Sequence, residues 1–146
     1  MRTLSLDLGG RRIGVAVCDD DGRVASPVTV IQRTDPQRTH REIADLVAEW
    51  EAGTVVIGLP LALDGSHGPA AQAVEAECAE LSAILDVPIE LHDERMTTVR
   101  AERVLREQGL DGRERRTVVD QVAASIILQD WLDQRAGSSR PPGSEG

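Results

Sequence analysis

Between Leu4 and Arg33 the chain carries three strand-like runs separated by turns too short for anything but hairpins. Leu4, Leu6 and Leu8 alternate with Ser5 and Asp7, the two-residue period of a strand. "GGRR" follows as a turn, "IGVAVCD" as a second strand, "DDDGR" as a second turn with Asp21-Gly22 as its hairpin signal, and "ASPVTVIQR" as a third strand. Strands joined so tightly must run antiparallel, because a parallel crossover needs a dozen or more residues. The pattern then switches period. "THREIADLVAEWEA" places Ile43, Leu46, Val47 and Trp50 on one helical face, and Gly53 is expected to end it. "TVVIGL" is a continuous apolar run of the kind buried in a parallel sheet. "DGSHGP" reads as a loop, Pro69 to Leu85 as a helix with proline in its first turn, and "VPIELH" as a short strand. Thr98 to Gln108 and Thr117 to Gln134 read as two closing helices, the first capped by Thr97 or Thr98 and stopped by Gly109.

The order β-β-β-α-β-α-β-α-α implies an α/β domain. Its core is one five-stranded mixed sheet, an antiparallel meander plus two parallel strands, with helices on both faces. Residues 1–135 form that domain, and residues 136–146, "AGSSRPPGSEG", are expected to be a disordered tail. No internal repeat is visible. No apolar run approaches the ~20 residues of a membrane span, and the opening "MRTLSLDLGG" is interrupted too soon for a signal peptide. Cytoplasmic residence without membrane contact is the resulting expectation. Cys18 and Cys78 belong to no CxxC pair and read as reduced packing residues.

The formal charge of −9 argues against broad nonspecific adhesion to nucleic acid, but its distribution is uneven. From Arg95 to Arg116 seven arginines face four acids, so the remainder carries −12. Every basic residue is arginine, whose planar fork matches phosphate oxygens in pairs. The chain has no Phe or Tyr, and Trp50 and Trp131 both fall on apolar helical faces. Stacking platforms for single-stranded bases are therefore not expected, and recognition should rest on phosphates and shape.

Ligands in open α/β sheets bind beyond the carboxyl ends of the strands. Asp7 sits at one such end, and Asp93 and Glu94 emerge at another, after "IEL". Asp120 shares a helical face with Ala124, Ile127 and Trp131, so it should head an apolar face turned towards the sheet. Ionised carboxylates gathered away from water are costly, and a hard divalent cation with oxygen ligands would resolve the cost. Each acid also has a structural reading: Asp7 as a turn former, Glu94 as a partner of Arg95 or Arg100, Asp120 as a partner of Arg115 or Arg116.

These segments resemble a known family. "DLGGRRIGVAV" is similar to the opening DxGxxRxGxA motif of the YqgF/RuvX proteins, Holliday-junction resolvase-like and precursor ribosomal RNA nucleases. "VVIGLPLALDGSHGPAA", "DERMTT" and "RERRTVVDQVAASIILQDWLD" match its later motifs in order, so the likeness spans about Leu4 to Leu132. It implies an RNase H-like fold and metal-dependent hydrolysis of phosphodiesters. The acidic site, Mg²⁺ or Mn²⁺ bound, falls on Asp7, Glu94 and Asp120, with Asp64 in the loop after the fourth strand as a rival to Glu94. Arg12, Arg95, Thr97, Thr98, Arg115 and Arg116 are the candidate contacts to nucleic acid, a structured RNA or a branched DNA. Gly58 and Pro60 are expected to shape the loop after the fourth strand, and His67 is a weaker catalytic candidate. Pre-ribosomal particles are a further partner, and the protein would act as a monomer or a homodimer. Two other readings stay open: a non-catalytic RNA- or ribosome-binding module on the same fold, and a fragment of an actin-like nucleotide-binding protein.

Overall fold

A computed structural model of the protein describes residues 2–95 and 113–138, with side chains in the final helix described from 122 to 136. The elements are β1 (Arg2–Leu8), β2 (Arg12–Cys18), β3 (Ala25–Gln32), α1 (Pro36–Glu49), β4 (Ala52–Leu59), α2 (Pro69–Ile84), β5 (Ile89–Asp93) and α3 (Arg113–Ser138). The expected helix over Thr98–Gln108 lies outside the described residues.

The five strands form one sheet in the order β3-β2-β1-β4-β5. β1 pairs antiparallel with β2 and β2 with β3, whereas β4 lies parallel to both β1 and β5. This is the meander-plus-parallel sheet expected from the turn spacing. β1 is thus the central strand, and it is buried on both faces: Leu4, Leu6, Ser5 and Asp7 are all 0–1% exposed. Leu4 and Leu6 join Ile57 and Val55 in a core closed by Ile43 and Val47 of α1 and by Ala71, Val74, Cys78 and Leu81 of α2. The opposite face is covered by α3 through Ala123, Ala124, Ile127, Leu128, Trp131 and Leu132, packed on Ala16, Cys18 and Val56. Burying an Ile or Leu completely stabilises by about 1.5–3 kcal/mol, and Ile127 and Leu128 are both fully buried.

Small side chains set how closely α3 approaches. Ser5 of β1 stands directly opposite Ala16 of β2, and Ala123 and Ala124 of α3 pack on that face. The gap is narrow enough for the Ser5 hydroxyl to donate to the Ala124 carbonyl at 2.7 Å, across 119 residues of sequence. Further along, the Gln129 carboxamide accepts from Ala25 N–H and donates to the Arg23 carbonyl, and Gly22 lies against Leu132. α3 therefore runs from the carboxyl end of β1 down towards the β2–β3 turn, antiparallel to β1.

The local signals mostly hold, with three differences. α1 begins earlier than its apolar pattern suggests, at Pro36, because the Asp35 carboxylate accepts from Arg38 N–H and supplies the cap. It ends at Trp50, and the reversal is made by Glu51 at φ 52°, so Gly53 is not the stop but a residue of β4. α3 extends to Ser138, three residues into the stretch expected to be disordered, with Arg135 stacked over Trp131 at 4.5 Å. The β2–β3 turn uses Gly22 at φ 69° as its signal implies. The Asp19 carboxylate accepts from Arg23 and Val24 N–H across it.

Both cysteines are free and buried, the packing role expected of them. Cys18 Sγ accepts from Thr3 N–H at 3.2 Å. Burial, with Glu77 and Glu75 adding negative charge nearby, pushes the Cys78 thiol up to about 11. The thiolate is the reactive form, so Cys78 should resist alkylation in the folded protein at neutral pH and react only on unfolding, as iodoacetamide labelling followed by peptide mass analysis will show. Replacing Ser5 with Ala should cost about 1 kcal/mol of stability, since the lost hydrogen bond is buried; chemical denaturation at constant m-value measures it.

Candidate active site

The carboxyl ends of β1, β4 and β5 lie side by side because all three strands are parallel. Three positions on the α3 face of this edge stand out. Asp7 is 1% exposed, and its antiparallel partner in β2 is Gly14. On its other side Leu6 pairs with Ile57, so one step further the neighbour of Asp7 in β4 is Gly58. Neighbouring strands stand about 4.8 Å apart. Asp7 is therefore flanked by a glycine on each adjoining strand, and no side chain from either crowds its carboxylate.

Glu94 occupies part of that opening. It leaves the end of β5, with its N–H directed to the Leu59 carbonyl at 3.4 Å, and is fully buried. A Cβ placed on Gly58 would stand 2.4 Å from Glu94 Oε2 and 2.7 Å from Ile127 Cδ1. The Glu94 carboxylate thus lies over Gly58, one strand away from Asp7, with α3 above it. Gly58 is a residue of β4 rather than part of the following loop, and its missing side chain gives Glu94 its place. The sequence reading did not find this role, and a tertiary void leaves no local signal.

The other candidates are placed as follows. Arg12 opens β2, half-buried, and its carbonyl accepts from Gly9 N–H across the β1–β2 turn. Arg95 follows Glu94, but its guanidinium bonds Asp93 at 2.7–3.1 Å and reaches the Leu63 carbonyl at 3.4 Å. Hydrogen bonds from Arg95 hold the Asp93 carboxyl below the usual range, and the same pairing raises Arg95. The loop that Arg95 touches carries Asp64. That carboxylate is exposed and accepts from Ser66 N–H at 2.9 Å; the Ser66 hydroxyl and N–H hold it below its usual value. Asp64 therefore shapes a surface turn, while Glu94 is the acid that lies over Gly58. His67 is exposed and paired with Glu75. Thr97 and Thr98 lie outside the described residues, as do the side chains of Arg115, Arg116 and Asp120. The position of Asp120 is in α3, four residues before Ala124.

Two buried histidines were not singled out by sequence reasoning. His92 of β5 is 7% exposed and bonds Asp130 of α3, which also accepts from the Gln134 carboxamide. His40 of α1 is equally buried, and its Nε2 lies 2.8 Å from Glu77 Oε2 of α2. His40 shares the buried face of α1 with Ile43 and Val47, and that spacing was the available signal.

Oxygen donors from carboxylates suit hard divalent cations, and Asp7 and Glu94 are two such groups on one buried edge. Among the described residues no third carboxylate, imidazole or thiol joins them closely enough to complete a cluster.

An RNase H-like resolvase fold is what this sheet and its helices define. RuvC of Thermus thermophilus, solved in complex with a Holliday junction substrate, superposes with a TM-score of 0.53 at 15% identity, covering 97% of this chain and 99% of that one. The fowlpox virus Holliday junction resolvase superposes with a TM-score of 0.51 at 9% identity, covering 92% and 99%. The chain belongs to the RuvX family, described as Holliday junction resolvase, which matches residues 1–134. A protein of Chloroflexus aggregans is 49% identical over 132 residues, covering 90% of this chain and 93% of its own length. Another from Streptomyces coelicolor is 48% identical, covering 97% and 86%. Each of these two carries the name "Putative pre-16S rRNA nuclease".

Adding a methyl group at Gly58 tests the site's construction. Gly58→Ala should force Glu94 and Ile127 apart and destabilise the protein by about 1–3 kcal/mol. Gly68→Ala, where a Cβ meets nothing within 4 Å, is the control; thermal unfolding of both reports the difference.

Proposed function

We propose that this chain is a divalent-metal-dependent endonuclease, and that its substrate is the precursor of the small-subunit ribosomal RNA. The observation that carries the reading is the pair of buried carboxylates, Asp7 and Glu94, brought to one sheet edge over a glycine. Membership of a family described as resolvases supports phosphodiester cleavage, and the names of relatives at 48–49% identity favour the ribosomal precursor over a DNA junction.

Asp7, Glu94 and Asp120 would hold the metal. Asp120 qualifies by position: it is one helical turn, about 6 Å, before Ala124, and Ala124 bonds Ser5, two strand residues before Asp7. A bound Mg²⁺ or Mn²⁺ supplies a Lewis acid for the phosphoryl oxygen and a water of lowered pKa as nucleophile. Asp7 is held by the central strand, whose both faces are packed, so its carboxylate is fixed before substrate arrives. Glu94 is held between Gly58 and Ile127. Arg12, at the start of β2, stands beside this edge to meet the substrate backbone. Arg95, Thr97, Thr98, Arg115 and Arg116 are the further contacts to nucleic acid in this reading. Arg95 is braced on Asp93, which fixes its fork and sets a negative charge beside it.

Cleavage of end-labelled substrates tests the proposal: a precursor-rRNA fragment and a four-way DNA junction, with Mn²⁺, Mg²⁺ or EDTA. Wild type should cut the RNA faster, and only with metal. Asp7→Asn should lose ~100-fold or more in rate, beyond what removing a ligand's supporting partner costs, while keeping its fold by circular dichroism. Faster cutting of the junction would move the substrate to DNA. No cleavage of either, with binding equal in both proteins, would leave a binding module and overturn the catalytic reading.

A further inference from the structure

The β1–β2 turn carries Gly9, two residues after Asp7, and leads into Arg12. Arg33, just beyond β3, holds it from outside. Arg33 N–H donates to the Arg11 carbonyl at 3.0 Å, and Arg33 Nε donates to the Gly9 carbonyl at 2.7 Å. One side chain and its own backbone thus grip the turn at both ends. The turn has little slack of its own: Gly9 N–H lies 3.0 Å from the Arg12 carbonyl, and a Cβ on Gly9 would stand 2.6 Å from that oxygen.

The guanidinium is itself held. Its two terminal nitrogens donate to the two oxygens of Glu77 on α2, at 2.9 and 2.8 Å. Glu77 also meets His40 of α1 at 2.8 Å. Burial works to raise the Glu77 carboxyl, but the bonds from Arg33 and His40 outweigh it and hold the group below the usual range. Arg33, Glu77 and His40 are all largely shielded, with side chains 23%, 16% and 9% exposed. A paired fork of this kind fixes orientation as well as distance. The chain of contacts therefore runs from α1 and α2, on one face of the sheet, to the turn that follows the carboxylate on the other.

We propose that Arg33 is a positioning residue for the nuclease reaction: braced by Glu77 and His40, it fixes the β1–β2 turn and so the places of Asp7 and Arg12. This rests on Asp7 being a catalytic carboxylate. Arg33 touches neither Asp7 nor substrate in this role, and its effect falls on geometry. Misplacing a reacting group by about 1 Å is enough to lower a rate ~100-fold.

The test is Arg33→Met, which keeps the apolar stem and removes the fork. Hydrogen–deuterium exchange read by mass spectrometry should speed up in peptides covering Gly9 to Arg12 and stay unchanged in those covering β5. Steady-state cleavage should show kcat reduced ~10- to 100-fold, with KM changed little. Guanidinium ion should restore part of kcat where sodium at equal concentration does not. It can reach the vacated place, because Arg33 and Glu77 line a cleft of about 540 Å³ between the turn and the start of α2. Exchange unchanged at the turn, or faster throughout the molecule, would overturn the clamp. Faster local exchange with kcat intact would overturn the positioning role. Full activity in Asp7→Asn would instead refute the catalytic reading of Asp7, and the exchange result would still judge the clamp.

Discussion

Close contact between α3 and the central strand is the condition on which the rest depends. β1 has no face left for water, so every polar group on it must be matched or given a task. Ser5 is matched by the Ala124 carbonyl. That single bond needs small residues at Ser5, Ala16, Ala123 and Ala124, because a larger side chain at any of them would lift the helix. With the helix seated, Ile127 reaches down beside Gly58 and closes the space in which Glu94 lies. The fit of the helix and the placing of the acid are one packing problem.

The second constraint is steric absence. Gly14 and Gly58 leave open the positions on either side of Asp7, where strands elsewhere in the sheet carry Val, Ile or Ala. A glycine inside a strand weakens it and commonly marks a close approach by another group. At Gly58 the approaching group is visible, the Glu94 carboxylate. Family membership over residues 1–134 accords with this construction, since the fold is shared with resolvases whose sequences are only 9–15% identical.

Much of this was legible in the sequence, for identifiable reasons. Turns such as Asp21-Gly22 and "GGRR" are local, and these two between three strands in thirty residues leave only a meander. Asp7 was legible because a lone acid among leucines contradicts its surroundings. The face of α3 was legible from Ala124, Ile127 and Trp131, all of which are buried. What depends on distant partners was not. Glu77 meets Arg33 from 44 residues away and His92 meets Asp130 from 38, and neither spacing is a pattern. The end of α1 was misread at Gly53 because Glu51 adopts the left-handed conformation that glycine usually supplies. Glu94 was the acid read from its place after β5, with Asp64 as its rival; Asp64 lies in an exposed turn and Glu94 is buried, a difference of tertiary burial that no local spacing shows.

The helix that covers the acidic edge, α3, lies far along the chain from the strand it covers. Ser5 and its partner Ala124 are 119 residues apart, so Ser5 is made long before the group it must meet. Until residues 113–138 have emerged and docked, Glu94 has no roof and Ala16, Cys18 and Val56 face water. Without α3 in place the acidic edge is not enclosed. The acidic edge is thus assembled by a contact between residues 119 apart, and its formation waits on the docking of α3.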